Sequence, residues 1–175
     1  MNDFQTQYQF GKIGEGRIAT WLRRRGWNVL PVYEKEIDEY KGPVLYRALM
    51  EGTLIAPDLL CFRDSSPYWI EAKTKSAFTW HRATERWVTG IDLRHYEDYL
   101  KVARLSPFPT WLLFLHLNGT GKDTPIGMEG PTGLFGRELL YLEAHENHRH
   151  ENWGTSGMVY WHKDTLHRLA AVSEV

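Results

Sequence analysis

The chain has 175 residues, and 21 Lys and Arg against 22 Asp and Glu leave a formal net charge of -1. That balance excludes the strongly basic proteins that coat nucleic acid non-specifically, so any contact with DNA or RNA must come from a local patch. An apolar share of 42% with 25% charged residues is that of a folded chain, long enough for a sizeable core and of a size for one domain over 1–175. The single cysteine, Cys61, excludes an internal disulfide and fits a reducing, cytoplasmic setting. No basic-then-apolar leader opens the chain, and no apolar run approaches the roughly 18 residues of a membrane span, so no membrane partner is expected.

Ile18, Trp21, Leu22 and Arg25 recur at helical spacing and Gly26 stands where a helix ends, which predicts a helix over 10–25. Gly11, Gly14 and Gly16 weaken its start. The run Gly11-Lys12-Ile13-Gly14-Glu15-Gly16 has the glycines of a phosphate loop, but no strand precedes it and no Lys-Ser/Thr pair closes it. Arg23-Arg24-Arg25 falls at the helix C-terminus, where cations are favoured anyway. Residues 27–33 read as a strand, 34–42 as a polar excursion, and 44–55 as a hairpin bending near Gly52-Thr53. Two strands, 58–62 and 68–73, flank the turn Asp64-Ser65-Ser66-Pro67. Residues 74–91 lack periodicity and read as a loop.

Asp92 is an N-cap residue for a helix carrying Leu93, Tyr96, Leu100 and Ala103 on one stripe. Residues 110–117 form a near-continuous apolar run, as in a strand buried on both faces. Six glycines over 118–136 suggest a long loop. Residues 139–143 and 158–161 read as further strands, and Asp164 as the cap of a short closing helix. His145, His148 and His150 fit no zinc spacing and read as polar surface. Cys61, inside a short apolar strand, reads as a buried structural thiol. Asn118-Gly119-Thr120 is a glycosylation sequon only in a secreted chain.

The chemistry concentrates at Pro57-Asp58 and Glu71-Ala72-Lys73. Side chains alternate along a strand, so Glu71 and Lys73 share one face while Ile70 and Ala72 point to the other. The apolar pair can enter a core, and the charged pair cannot do so cheaply. Asp58 opens the partner strand of the hairpin, where it can project beside Glu71. Two carboxylates there repel unless a cation lies between them, and hard oxygen donors suit Mg²⁺. Lys73 then stands beside water and phosphate, where positive charge helps most.

This arrangement resembles the PD-(D/E)XK nuclease superfamily, the restriction-endonuclease-like fold that includes Holliday junction resolvases. The resemblance implies an α/β chain with a central mixed sheet flanked by helices in the order α-β-β-β-α-β. It covers about residues 10–117, leaving 118–175 as a C-terminal extension. It implies that Asp58 and Glu71 hold Mg²⁺ or Mn²⁺, with the Ala72 carbonyl completing the shell and Glu15 on the first helix as a further acidic ligand. It implies that Lys73 orients or activates the attacking water. The function implied is metal-dependent DNA cleavage, endo- or exonucleolytic, in repair, recombination, restriction or a phage setting within a bacterial or phage-infected cell. DNA is favoured over RNA, and some relatives act as homodimers.

The segment after the motif supplies positive charge. From Lys73 to Arg94, five basic residues stand against two acidic ones, with Trp80, His81 and Trp87 interleaved. Lys75, Trp80, His81, Arg82, Arg86 and Trp87 are accordingly the expected nucleic-acid contacts, cations for phosphates and rings for bases. Residues 1–105 hold sixteen basic against fourteen acidic residues and 106–175 five against eight, so the neutral total hides a mildly basic first part. The rival reading is a non-catalytic nucleic-acid-binding or protein-partner module on the same fold. A metal hydrolase of small molecules is a third, and would lack DNA affinity.

Overall fold

The computed structural model describes residues 3–32, 43–47, 52–151 and 156–175. It opens with helix α1 (Asp3–Arg24), which starts earlier than the sequence suggests and runs straight through its three glycines. One of them is required by packing. A Cβ built on Gly14 would lie 1.6 Å from Thr74 Oγ1, so only glycine lets the helix rest this closely on the sheet. The helix ends as expected at Gly26, whose φ of +81° is the left-handed conformation of a C-terminal cap. Gly26 N donates to Arg23 O at 3.1 Å and Trp27 N to Leu22 O at 3.2 Å.

Strand β1 (Asn28–Pro31) follows, then the small hairpin β2 (Val44–Tyr46) and β3 (Thr53–Ile55) that the sequence anticipates. The polar excursion 34–42 lies outside the described residues. Strands β4 (Leu59–Arg63) and β5 (Ser66–Lys75) pair antiparallel around a two-residue turn, Asp64-Ser65, both at positive φ (50° and 63°). Those are the angles a tight hairpin demands.

The central sheet has the order β1-β4-β5-β8-β9-β12, its last three strands being Thr110–His116, Gly133–Glu138 and His167–Ala170. Helix α2 (Leu93–Leu105) crosses between β5 and its parallel neighbour β8 (Thr110–His116). Asp92 caps that helix as expected, accepting from the Arg94 and His95 amides. One helix, a three-stranded antiparallel meander, a crossover helix and a parallel fourth strand make the α-β-β-β-α-β core that the resemblance implies. The fold is restriction-endonuclease-like. Leu112 and Phe114 of β8 pack under α2, while Leu113 and Leu115 pack under α1 with Ile18, Trp21 and Leu22. Both faces of this strand are buried, as its apolar run predicts. Cys61 is fully buried in the α1 layer, and burial pushes its thiol up to about 12, so it is inert.

Four sequence expectations are corrected. Residues 74–91 are not a loop: β5 continues to Lys75, and β6 (Thr79–His81) and β7 (Arg86–Asp92) form a hairpin. That hairpin joins a second sheet, β10-β11-β7-β6, with β10 (His148–His150) and β11 (Met158–His162). Pairing with β11, some 70 residues away in sequence, buries Val88 and Ile91, and no local periodicity reports such a partner. The predicted loop 118–136 gives way to strand β9 (Gly133–Glu138), because pairing with β8 outweighs its glycines. Residues 139–143 are helix α3 (Leu139–Glu143), not a strand: Leu139 and Leu142, three apart, are the two residues it buries fully. Asp164 caps no closing helix; it lies inside a single 3₁₀ turn, Lys163–Thr165, and strand β12 (His167–Ala170) follows. Two strands of the segment 118–175 thus lengthen the central sheet, and two more build the second one.

His116 ends β8 fully buried, its ring stacked on Phe78 at 3.6 Å between centroids. Burial, helped by the Lys75 ammonium, pushes its pKa down to about 3 from 6.5. Below pH 6.5 the unfolded chain therefore takes a proton that the folded chain refuses. Stability from this residue is complete above pH 6.5 and falls as pH drops towards 3, by up to about 1.4 kcal/mol per pH unit. His116→Phe keeps a ring against Phe78 and removes the titration. Its melting temperature is expected to drop less than that of the native chain between pH 7 and pH 4.5, measured by calorimetry. Equal drops would show that His116 is not the acid-sensitive group.

Candidate active site

The pairing of β4 with β5 stops at Leu59 opposite Ile70, and beyond that point the two strands part. Asp58 sits at the opening. Its backbone carbonyl accepts from Val32 N at 2.9 Å, which ties it to the end of β1. Its carboxylate Oδ2 accepts from Ala72 N at 3.2 Å, taking the place a strand partner would have held. In return Asp58 N donates to Glu71 Oε2 at 3.2 Å. The two acidic residues therefore meet at one edge of β5. A residue in an extended strand points its N–H and C=O to the same edge, so the Ala72 carbonyl faces this opening too.

Glu71 is fully buried, on the opposite face of β5 from Ile70 and Ala72. Its Oε1 accepts from the Tyr99 hydroxyl at 2.7 Å and pairs with the Lys73 ammonium. Glu15 reaches the same field from α1, on the helix face of Ile18 and Leu22; it is 7% exposed and accepts from Lys12 Nζ at 2.8 Å.

The charges confirm the crowding. Burial pushes Glu71 up to about 7, and the Asp58 charge adds to the rise. Burial likewise raises Glu15, against the pull of Lys12, and Asp58 again adds to it. For Lys73, burial works against the ammonium, but Glu71, Asp58 and Glu15 outweigh it and hold its pKa above the ordinary lysine value. Lys73 is thus a fixed cation here.

Among the described residues no three His, Cys, Asp or Glu side chains form a ready-made metal centre. The oxygen donors at the opening are of the kind a hard divalent cation takes: the Asp58 and Glu71 carboxylates, joined through backbone N–H groups, and a backbone carbonyl. Mg²⁺ and Mn²⁺ keep several waters and need only such a partial shell.

Tyr99 is the residue that sequence reasoning misses. It follows Tyr96 by one helical turn, and that spacing marks it only as core. That its hydroxyl ends on Glu71 is decided by how α2 crosses the sheet. Burial raises the Tyr99 pKa, and the Glu71 charge raises it further, so the hydroxyl remains a donor.

The predicted nucleic-acid contacts divide. Lys75 shares the β5 face of Glu71 and Lys73 by alternation. It is partly buried, and burial, with Lys73 beside it, pushes its pKa down to about 8. The other five stand on the β6–β7 hairpin. Trp80 and Trp87 pair across it edge to face at 5.0 Å. His81 stacks on His148 at 4.5 Å, and His148 in turn on Tyr160 at 4.6 Å, so His148 is part of a ring column rather than free polar surface. Arg82 and Arg86 are exposed. Arg86 lies six positions from Asp92 along β7, about 20 Å of strand. The hairpin therefore holds Arg82 and Arg86 at its exposed end, with Asp92 at the other end of β7 acting on Lys75.

No protein-family model matches the chain, and no curated protein does either. Among solved structures, it is similar to Hjc, a Holliday junction resolvase from the archaeal hyperthermophile Archaeoglobus fulgidus. The identity there is 10%, the TM-score 0.48, and the match covers 89% of this chain and 90% of that one. It is also similar to a nuclease from a fusselovirus, with 15% identity, a TM-score of 0.43, and 99% and 90% of the two chains covered.

Proposed function

We propose that this protein is a metal-dependent DNA nuclease of the PD-(D/E)XK type, hydrolysing phosphodiester bonds at the opening between β4 and β5. The observation that carries the reading is the meeting of Asp58 and Glu71 at one edge of β5, with Lys73 held against Glu71. A structural ion pair has no need of a second carboxylate whose charge acts against the first. The chain folds as one domain in this reading, with residues 118–175 as part of its sheets.

Asp58, Glu71 and the Ala72 carbonyl would hold Mg²⁺ or Mn²⁺, with Glu15 adjoining. Such an ion supplies Lewis acidity to the scissile phosphate and makes a nearby water more acidic. Asp58 is fixed by the Ala72 amide and Glu71 by Tyr99, so neither must reorganise as substrate arrives. Lys73 cannot serve as a base, because its neighbours keep it protonated. Its role is to donate to the attacking water and to offset charge developing on the phosphoryl oxygens. Lys75 extends the positive edge along β5, and the β6–β7 hairpin offers Arg82 and Arg86 to the phosphates of a flanking segment.

The test is incubation of the purified chain with supercoiled, linear and branched DNA, with Mg²⁺ and with EDTA. Cleavage is expected with Mg²⁺ alone, leaving 5′-phosphate and 3′-hydroxyl ends. Binding without cleavage under every metal condition would replace this reading with that of a non-catalytic module.

A further inference from the structure

One step of the proposed hydrolysis still lacks a residue. The attacking water must lose a proton, and Lys73 is held protonated by its neighbours. Asp58 and Glu71 are given to the cation, and Glu15 is paired with Lys12. The acceptor has to come from another element.

Helix α2 runs back over β5, and its turns keep step with the strand. Four residues of helix rise about 6 Å, and two residues of strand about 7 Å. The Tyr99 hydroxyl reaches Glu71 at 2.7 Å. At the start of the helix, Asp92 acts on Lys75. Between those two points His95, one turn before Tyr99, is the α2 side chain over Lys73. Lys73 Nζ lies 5.9 Å from the centre of the Tyr99 ring and the His95 ring 6.3 Å from it, so ammonium and imidazole border the same ring.

The His95 side chain is half-buried, and its ring nitrogens carry no hydrogen bond among the described residues. His81, His145 and His148 differ, each holding a ring nitrogen in a hydrogen bond. A histidine with a purely structural part would have such a partner too. Burial holds the His95 pKa below its ordinary 6.5, and Lys73 is the charge that adds most to the fall. From its own helix Asp92, Arg94 and Asp98 also act on it. Glu71 and Lys75 flank Lys73 on the same face of β5. Strand β3, packed on α2, has no charged residue, and Glu143 of α3 pairs with Arg104 at the far end of the helix. β7 and β11 meet this end of α2 in Asp92 and Met158, with Arg86 and His162 at their other ends. The imidazole is therefore neutral at neutral pH, with a lone pair free.

We propose that His95 is the general base of the cleavage reaction, a step that rests on the nuclease reading above. Its neutral imidazole takes a proton from the attacking water while Lys73 donates to the same oxygen. That oxygen bonds to phosphorus, and the bond from phosphorus to the 3′ oxygen breaks with its electron pair. The 3′ oxygen takes a proton from solvent, and His95 returns its own to solvent. One water and one phosphodiester thus become a 5′-phosphate and a 3′-hydroxyl, with nothing oxidised or reduced. A phosphate at Lys73 offsets the ammonium and lets the imidazole return towards 6.5, the range in which a base works well near neutral pH.

The experiment compares the native chain with His95→Ala, a change that favours the helix and so leaves the fold intact. At saturating Mg²⁺ and neutral pH the variant is expected to cut DNA at least about a hundredfold more slowly. Added imidazole should restore its rate at least about tenfold, and the restored rate should follow the neutral fraction of the imidazole. A structural loss would not respond in that way. A second readout needs no metal. In EDTA the His95 ring proton, assigned in the NMR spectrum by its absence from His95→Ala, should titrate below 6.5 and move up in Lys73→Gln. Native-like cleavage by His95→Ala overturns the proposal. A loss that imidazole does not repair, or a His95 titration indifferent to Lys73→Gln, overturns it as well. Any of these in a native chain that cuts DNA leaves the nuclease reading standing; a native chain that cuts none sinks that reading and this step with it.

Discussion

Asp58→Asn is expected to lower Mg²⁺-dependent DNA cleavage by at least about a thousandfold, as removal of a single group that stabilises a transition state can do. The melting temperature should hold or rise. The amide oxygen still accepts from Ala72 N, so the backbone geometry at the opening survives. The negative charge does not survive, and that charge is one of the causes that push Glu71 and Glu15 upward. Removing it relieves that repulsion while giving up its attraction for Lys73 and Lys12, so the two largely offset. A residue that stability does not need and turnover does is placed for function. Cleavage rates on the preferred DNA substrate and a thermal melt in EDTA check both halves. Native-like cleavage would remove Asp58 from the mechanism, and a steep loss of melting temperature would make it a structural residue.

Gly14→Ala is expected to destabilise the fold by about 1–3 kcal/mol, the cost of overpacking, which is about 2–12 °C in melting temperature for a chain of this size. Helix propensity alone argues the other way, since alanine is favoured over glycine by about 1 kcal/mol in a helix interior. The clash wins because the new methyl would fall 1.6 Å from Thr74 Oγ1 and 2.6 Å from Thr74 Cβ, within a strand that cannot move aside. Thr74→Gly in the same chain removes the obstacle, so the double variant should recover part of the loss that neither single change predicts. Calorimetry on the four chains closes the cycle. An increase in melting temperature for Gly14→Ala alone would mean that α1 does not rest on β5 this closely. The matter reaches the site, because Glu15 is the next residue and its position depends on that contact.

Legibility followed the range of the interactions. The helix ending at Gly26, the turn at Asp64-Ser65 and the cap at Asp92 are set by residues within a few positions of each other, and the chain states them directly. The same holds for Asp58, Glu71 and Lys73. Strand alternation puts Glu71 and Lys73 on one face, and a short hairpin brings Asp58 to the same edge. What failed were elements whose partners are distant. β7 is held by β11 and carries β6 on its other edge, and β9 is held by β8. Neither carries a local pattern strong enough to announce a strand.

The near-neutral charge shows the same division. The sequence by itself determined that the molecule has no bulk attraction for nucleic acid and that its basic residues gather after the motif. It also determined which acidic residues could share a cation. Only the tertiary structure decided that the basic residues would not surround the site as a loop. Lys75 stays on the face of Glu71, and Arg82 and Arg86 stand exposed on a hairpin of the second sheet. The physical reason is that hydrogen bonds between strands and burial of apolar side chains act between segments far apart in the chain. They fix where a charge is carried without leaving a mark on its neighbours in sequence. Tyr99 drew no notice in the sequence for that reason, and the structure gave it a carboxylate to hold.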